Sequence, residues 1–195
     1  MIRLVYVAAG YLVGLVQTAY ILGRIMNTDL REHGSGNLGA TNAFRVLGLK
    51  AGLITFSLDI LKAIAVVLVI RYLFDGGAVG GLYGGLGVVL GHDFPFYLKF
   101  KGGKGVAVTT GIMLAISPVA SLIIIAAMVL LIIITKYVSL GSISGMLIMA
   151  GYAAVKYRGN IEMTILIFAL AALAIFMHRS NIIRLINGTE NKIRK

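Results

Sequence analysis

The sequence has no cysteine and only seven acidic residues among its 195 positions. Without cysteine it can form neither a disulfide nor a thiolate metal site. Charged residues make up only 13% of the chain, yet Lys and Arg exceed Asp and Glu so far that the formal net charge is +11. This excess predicts an acidic membrane surface or anionic small molecules as partners. Nucleic acid is not expected, because no soluble basic domain is present to bind it.

Apolar residues, in contrast, are abundant. They make up 59% of the chain, and the mean hydropathy is +0.96. A soluble domain of this size cannot bury such a share, so we expect an all-α, polytopic integral membrane protein. The first apolar run follows Arg3 directly and has no small-residue cleavage site. We therefore expect this run to be retained as a span and not removed as a signal peptide.

Charge decides how many spans to expect. Residues 106–134 carry no charge, exceed the roughly 20 residues of one span, and contain Ser117-Pro118, which favours a break. If this segment forms two helices, thirteen Lys and Arg fall on one face and four on the other, whereas one helix removes the bias. Because such residues collect on the cytoplasmic side, two helices are favoured. The expected cytoplasmic cations are Arg24, Arg31, Arg45, Lys50, Lys99, Lys101, Lys104, Lys136, Arg179, Arg184, Lys192, Arg194 and Lys195.

The sequence thus predicts one membrane-embedded domain over residues 1–195, with seven spans. The N-terminus is expected outside and the C-terminus in the cytoplasm. The expected spans are about 4–23, 51–73, 78–98, 106–116, 119–134, 138–155 and 163–177.

A polar, glycine-rich segment at 33–45 separates the first two spans. Its glycines can bring backbone N–H groups close to a ligand, and its arginine suits a phosphate or carboxylate. The residues that carry this chemistry are Gly34, Ser35, Gly36, Asn37, Gly39, Thr41, Asn42 and Arg45. The G-x-G-x-x-G spacing is not a dinucleotide fingerprint, because no strand precedes it and no βαβ unit fits. A flexible cytoplasmic loop is the alternative on composition alone.

A second glycine-rich segment, residues 101–107, contains Lys101, Gly102, Gly103 and Lys104. It lacks the spacing and the terminal Ser or Thr of a Walker P-loop, so nucleotide hydrolysis is not expected. Successive N–H groups, the start of the next helix and two lysines nevertheless favour an anion. A basic loop that touches lipid headgroups is the alternative.

Other polar residues lie within or beside the apolar runs. Asp59 and Lys62 are spaced to form a structural ion pair on one helix face. His92 and His178 fall at the ends of spans, and the three histidines do not have metal-ligand spacing, so no metal is expected. Ser35 lies near His33 and permits a Ser–His nucleophile, but no G-x-S-x-G elbow is present.

Together these motifs resemble the bacterial acyl-phosphate:glycerol-3-phosphate acyltransferase family, PlsY. The resemblance covers nearly the whole chain and rests on segments 35–42, 91–95 and 101–107. It continues in the tail and in the Asp-x-x-Lys pattern at 59–62. Two departures are Ala63, where glycine is frequent in the family, and Leu15-Val16-Gln17, where a sequence such as Ser-Ile-Pro is expected.

The resemblance implies an inner-membrane acyltransferase with a cytoplasmic active site and no cofactor. It would move a fatty acyl group from acyl phosphate to the sn-1 hydroxyl of glycerol 3-phosphate, the first step of bacterial phospholipid synthesis. The products would be lysophosphatidate and phosphate. The chain lacks the H-x-x-x-x-D box of other glycerophosphate acyltransferases, since no histidine has Asp five positions later. Membrane lipids are further expected partners, and a monomer is expected.

In this hypothesis positioning and charge stabilisation replace a Ser-His triad. Arg45 and Lys104 bind a substrate phosphate, and Ser35 hydrogen-bonds substrate. The Gly102 and Gly103 N–H groups cradle the other anion. The expected polar wall consists of Thr41, Asn42, His92, His178 and Asn181. The competing hypotheses are an anion or phospholipid transporter that uses the same loops with the Asp59–Lys62 pair, and a scaffold that only docks lipid.

Overall fold

The computed structural model describes residues 1–193, and over these the chain is helical and contains no strand. Arg194 and Lys195, two of the expected cytoplasmic cations, lie outside the described residues. Contacts divide the chain into two compact units, Met1–Ile116 and Ser117–Lys195.

The first unit contains six α-helices, together with a π-helical turn at Val69–Leu73 and a 3-10 turn at Phe96–Leu98. The helices are α1 (Ile2–Gly14), α2 (Thr18–Ile25), α3 (Ala40–Leu47), α4 (Leu49–Leu68), α5 (Gly77–Asp93) and α6 (Val106–Ile116). The second unit contains α7 (Pro118–Thr135), α8 (Val138–Lys156), α9 (Ile161–Met177) and α10 (Arg179–Ile186). Two helices, α6 and α7, therefore occupy the long uncharged run, and Pro118 stands in the first turn of α7, where its missing N–H costs nothing.

Within residues 1–193, four segments are long and apolar enough to cross a membrane. They are Ile2–Ile25, Leu49–Leu73, Pro118–Thr135 and Val138–Lys156. A fifth results if α9 and α10, bent by 56°, count as one. The outward faces suit lipid, since only 11% of the apolar stretch of α7 is buried. The chain is therefore a membrane protein built from apolar helices, whereas α5 and α6 are shorter than these segments.

The first span is not the continuous helix expected over 4–23. Helix α1 ends at Gly14 and α2 begins at Thr18, and Gln17 between them has an extended backbone. The Gln17 side chain is fully buried and donates to the carbonyl oxygens of Gly91 and His92, at 3.3 and 2.9 Å. The break thus turns a polar side chain inward and frees the Val16 carbonyl for another partner.

The third span is also shorter than the expected 78–98. Helix α5 ends at Asp93, because Pro95 has no N–H to continue the helical hydrogen bonds. The chain then forms the 3-10 turn at Phe96–Leu98 and passes through left-handed backbone at Lys99 and Phe100. The cationic segment after it is therefore a loop that folds back onto the end of α5.

Glycine allows α1 and α5 to approach closely enough for backbone contact. A methyl group on Gly10 would overlap the Gly84 carbonyl oxygen, and one on Gly87 would overlap the Val7 carbonyl oxygen. In a bilayer, where lipid is as apolar as leucine, such close packing is a main source of helix association. The glycine-rich third span therefore packs against the first span, and this contact fixes the end of α5 that carries His92.

We expect Gly10→Ala to lower the thermal unfolding midpoint in detergent, because its methyl group would force α1 away from α5, at a cost of about 1–3 kcal/mol. Gly151→Ala on α8 is the matched control, since a Cβ there meets nothing within 4 Å. The control gains helix propensity and should be unchanged or slightly more stable. Equal midpoints for both variants would contradict this packing.

Candidate functional site

The two glycine-rich segments meet within the first unit. The Asn37 side-chain amide donates to the Gly102 carbonyl at 3.0 Å, and the Leu38 backbone N–H approaches the same oxygen at 3.4 Å. The Asn37 carbonyl oxygen also accepts the Gly39 N–H at 3.0 Å. One side chain thus closes a turn in the first segment and ties that segment to the second.

Asn42 organises the turn that presents Ser35. Its carbonyl oxygen accepts the Ser35 N–H at 2.8 Å, and its amide donates to the carbonyls of Leu30 and His33, both at 3.1 Å. The side chain is only 2% exposed. Asn42 was expected in a polar wall facing substrate. Its side-chain amide instead forms hydrogen bonds within the loop and supports it. Ser35 remains exposed.

An apolar cluster supports the first segment. It consists of Ala19, Leu30, Leu38, Ala43 and Leu98, with Tyr20, Val46 and Leu47 packed against it. The short helix α3 rests on this cluster and carries Thr41, which is half-buried, and Arg45, which is exposed. The loop predicted over this segment therefore contains a helix, and Arg45 extends from a supported backbone.

The second segment caps the end of α5. The Gly103 N–H donates to the His92 carbonyl at 2.9 Å, and the Gly102 N–H donates to the Asp93 carbonyl at 3.1 Å. Both N–H groups, which were expected to cradle a phosphate, therefore donate to carbonyl oxygens of the protein. Glycine is needed for space, because a Cβ at Gly102 would overlap the His92 carbonyl oxygen and one at Gly103 would overlap the His92 ring.

The start of α6, where the sequence predicts an anion site, lies beside a buried acidic residue. Gly105 has φ +72°, and a Cβ built on it would lie 3.1 Å from a carboxylate oxygen of the buried Asp93. The N-terminal end of α6 thus has a buried acidic residue, Asp93, as a neighbour. The cationic character of this segment comes from Lys101, which is exposed, and Lys104, which is half-buried.

A buried polar cluster lies beside the end of α5. The Lys62 ammonium contacts Asp59 Oδ1 and the Val16 carbonyl oxygen, both at 2.7 Å, and His92 Nδ1 at 3.2 Å. The Thr18 hydroxyl donates to the same Asp59 oxygen at 3.3 Å. The cluster therefore unites the break in the first span, helix α4 and His92. It contains the ion pair that the sequence suggested.

His33 is not arranged as a base for Ser35. Its Nδ1 lies 2.9 Å from the Asp29 carbonyl oxygen. Asp29 in turn pairs with Arg31, whose side-chain hydrogen bonds lower the pKa of the Asp29 carboxyl to about 2. This exposed group of charges thus belongs to the outer side of the first segment.

His178 and Asn181 belong to the second unit, where both are buried. Asn181 Nδ2 donates to a Glu190 carboxylate oxygen at 2.7 Å, Ser139 donates to the same oxygen at 2.9 Å, and Arg184 donates to the other at 2.7 Å. Burial raises the pKa of Glu190, but these three hydrogen bonds outweigh it and hold the pKa below its ordinary value. Glu190 therefore fixes the orientation of the Asn181 amide.

The roles of Gln17 and Thr18 were not predicted from the sequence, where they are polar residues within an apolar run. Their signal was their polarity at membrane depth, where a polar side chain must find a partner inside the protein. The acidic partner of the α6 N-terminus, Asp93, was also missed. Within residues 1–193, no three His, Asp or Glu side chains are grouped to hold a metal ion.

Three comparisons with known proteins agree. A family model described as glycerol-3-phosphate acyltransferase matches residues 4–188. The glycerol-3-phosphate acyltransferase of Thermoanaerobacter sp. (strain X514) is 46% identical over 184 residues, which cover 94% of this chain and 91% of that protein. The enzyme of the same name from Clostridioides difficile (strain 630) is 40% identical over 195 residues, covering 97% and 95%.

Two solved structures share the fold. Both are crystal structures of PlsY (YgiH), described as an integral membrane glycerol 3-phosphate acyltransferase. The glycerol 3-phosphate form has a TM-score of 0.89 and 34% identity, covering 98% of this chain and 96% of that one. The lysophosphatidic acid form has a TM-score of 0.87 and 33% identity, covering 98% and 95%.

We expect Glu190→Gln to lower thermal stability at neutral pH, because the neutral amide loses the charge-assisted hydrogen bonds from Asn181 and Arg184. A carboxyl with a lowered pKa stabilises the fold above its unfolded pKa, about 4.3 for Glu, and this stability is lost as pH falls through the folded value. The difference in unfolding midpoint from the parent protein should therefore shrink below about pH 4. A constant difference across this range would contradict the assignment.

Proposed function

The chain belongs to the glycerol-3-phosphate acyltransferase family, and from this premise we propose that it transfers a fatty acyl group from acyl phosphate to the sn-1 hydroxyl of glycerol 3-phosphate. The products are lysophosphatidate and inorganic phosphate. The observation that carries the proposal is the hydrogen bond between Asn37 and Gly102, because it joins the segment of Ser35 and Arg45 to the segment of Lys101 and Lys104.

The joined segments suit a reaction in which both substrates carry phosphate. Arg45 stands on α3, and Lys101 and Lys104 stand on the loop tied to the first segment. Guanidinium and ammonium groups bind phosphate by charge-assisted hydrogen bonds. We assign Arg45 and Lys104 to the substrate phosphates, and Lys101 to the surrounding positive field.

Ser35 is assigned to substrate alignment and not to covalent catalysis. Its backbone is held by Asn42, and the nearby His33 ring nitrogen Nδ1 faces the Asp29 carbonyl. Acyl phosphate is already activated and phosphate is a good leaving group, so positioning and charge stabilisation suffice. The acceptor hydroxyl's proton then passes to a phosphate oxygen. Gly34, Gly36 and Gly39 shape the turn, and Thr41 contributes a hydroxyl beside it.

The remaining assigned groups are His92, His178 and Asn181. His92 is assigned a place beside the Lys104 segment, against Gly103. His178 and Asn181 are assigned to substrate contact from the tail, with Glu190 fixing the Asn181 amide. Gly102 and Gly103 serve by leaving room for His92, and Asn37 and Asn42 by holding the first segment.

The proposed topology has seven spans in a single membrane-embedded domain, with the N-terminus outside and the active site on the cytoplasmic face of the inner membrane. The contact of Asn37 with Gly102 supports one face for both segments. This topology counts α6 as a span, although its 11 residues extend only about 16 Å. Residues 108–113 of α6 are buried within the protein, so the chain around this short helix can be covered by protein at membrane depth. The donor's acyl chain lies in hydrocarbon while its phosphate meets the loops, and one chain carries all the assigned groups, so a monomer suffices.

The test uses purified protein in detergent micelles with acyl phosphate and glycerol 3-phosphate, and it measures released phosphate and lysophosphatidate. We expect stoichiometric formation of both, and no product when acyl-CoA replaces acyl phosphate. Micelles have no compartments, so product excludes a pure carrier. Absence of lysophosphatidate from folded protein would contradict the proposal.

We expect Ser35→Ala and Lys104→Ala each to lower kcat by about 10²–10³-fold, the cost of removing one preorganised group from a transition state. Ser57→Ala, on the exposed face of α4, and Arg158→Ala, in the exposed turn after α8, are the matched controls and should retain parental turnover. Thermal unfolding in detergent verifies that each variant folds. Near-normal turnover in both site variants would overturn these roles.

A further inference from the structure

The His92 ring has one nitrogen on the buried cluster and the other against the glycine loop. Nδ1 lies 3.2 Å from the Lys62 ammonium. Of the ring atoms that a Cβ on Gly103 would overlap, Nε2 is the nearest, so it faces the backbone that leads to Lys104. The two nitrogens therefore have different neighbours. Whether Nδ1 carries a proton beside Lys62 determines whether the neutral ring can donate a hydrogen bond from Nε2.

The three hydrogens of the Lys62 ammonium match three acceptors. Two point to Asp59 Oδ1 and the Val16 carbonyl oxygen, both at 2.7 Å. The third points to His92 Nδ1. An ammonium group donates and cannot accept, and the short contact with Asp59 keeps it charged, so Nδ1 must supply the lone pair. A neutral imidazole that accepts at Nδ1 carries its proton on Nε2.

The alternative is an imidazolium that donates from Nδ1 to Asp59. That separation is 3.9 Å, which is too long for a hydrogen bond, and the Lys62 ammonium is closer. An imidazolium would also place two positive charges 3.2 Å apart in a buried site where His92 is only 2% exposed. The side-chain oxygens of Asp93, the next residue, lie near Gly105. The geometry therefore favours the neutral ring.

We propose that His92 is a fixed N–H donor and not a general base, and that Lys62 is the positioning residue that holds it in the neutral Nε2–H form. The inference rests on the proposed function only in placing a substrate anion at the glycine loop. Nε2–H then donates toward the phosphate bound beside Lys104. The basic lone pair at Nδ1 points away from the loop, so His92 cannot take the proton of the acceptor hydroxyl.

The first test is nitrogen NMR of the full-length protein in micelles, labelled with ¹⁵N-histidine. The chain has three histidines, so His33→Gln and His178→Gln assign the spectrum by difference. At neutral pH we expect His92 to show a pyridine-type Nδ1 and a protonated, pyrrole-type Nε2. A protonated Nδ1, or two protonated nitrogens, would overturn the proposal, and this readout does not depend on activity.

The second test removes Lys62 without leaving its partner charged. Asp59→Leu/Lys62→Met replaces both members of the buried ion pair, a change that folded proteins often tolerate better than loss of one partner. We expect the His92 spectrum of this variant to show both tautomers. If only the Nε2–H form persists, Lys62 is not the residue that fixes it. The parental spectrum alone still decides the tautomer if the variant does not fold.

The third test asks whether His92 acts as a donor or as a base. His92→Gln retains an N–H donor without a useful base, whereas His92→Leu retains neither. We expect kcat to fall by about 10²–10³-fold in the Leu variant and by clearly less in the Gln variant. Equal losses would overturn the donor role. An inactive parent protein that shows the expected tautomer would instead refute the proposed function and leave the tautomer assignment intact.

Discussion

The Gly102 carbonyl oxygen is the point on which the arrangement of the first unit depends. It accepts the Asn37 amide at 3.0 Å and is approached by the Leu38 N–H at 3.4 Å, while the Gly102 N–H donates to the Asp93 carbonyl at 3.1 Å. One peptide thus ties the serine-bearing segment to the lysine-bearing segment, and both to the end of α5. The cations that these segments carry are thereby brought to one end of the unit.

A second constraint is the cost of charge at membrane depth. Ionisable groups there are expensive unless they find partners inside the protein. The break between α1 and α2 reduces this cost, because it frees the Val16 carbonyl to accept a hydrogen bond from Lys62. It also turns Gln17 toward the carbonyl oxygens at the end of α5. Close glycine packing of α1 on α5 brings the break within reach of His92. A departure from regular helix therefore supports the polar groups that the proposed chemistry uses.

The sequence predicts the helical class well, because the lengths of its apolar runs are set by the bilayer, and it predicts the division at Ser117-Pro118 from proline and charge. It does not predict the break at Gln17. The sequence shows a polar side chain within a span, but not its hydrogen-bond partners on another helix. The roles of Gly102 and Gly103 could not be predicted either. Glycines that bind an anion and glycines that make room for a neighbouring ring have the same sequence, and only tertiary contacts with His92 separate them.

The two polar segments are proposed to form one anion site on the cytoplasmic face, and the absence of cysteine from the sequence makes their location directly measurable. Single cysteines at Ser35, Lys101 and Arg158, all exposed positions, can be labelled with a membrane-impermeant thiol reagent in oriented vesicles. We predict that cysteines at 35 and 101 react from the same, cytoplasmic side and that the cysteine at 158 reacts from the other. Labelling of positions 35 and 101 from opposite sides would contradict it.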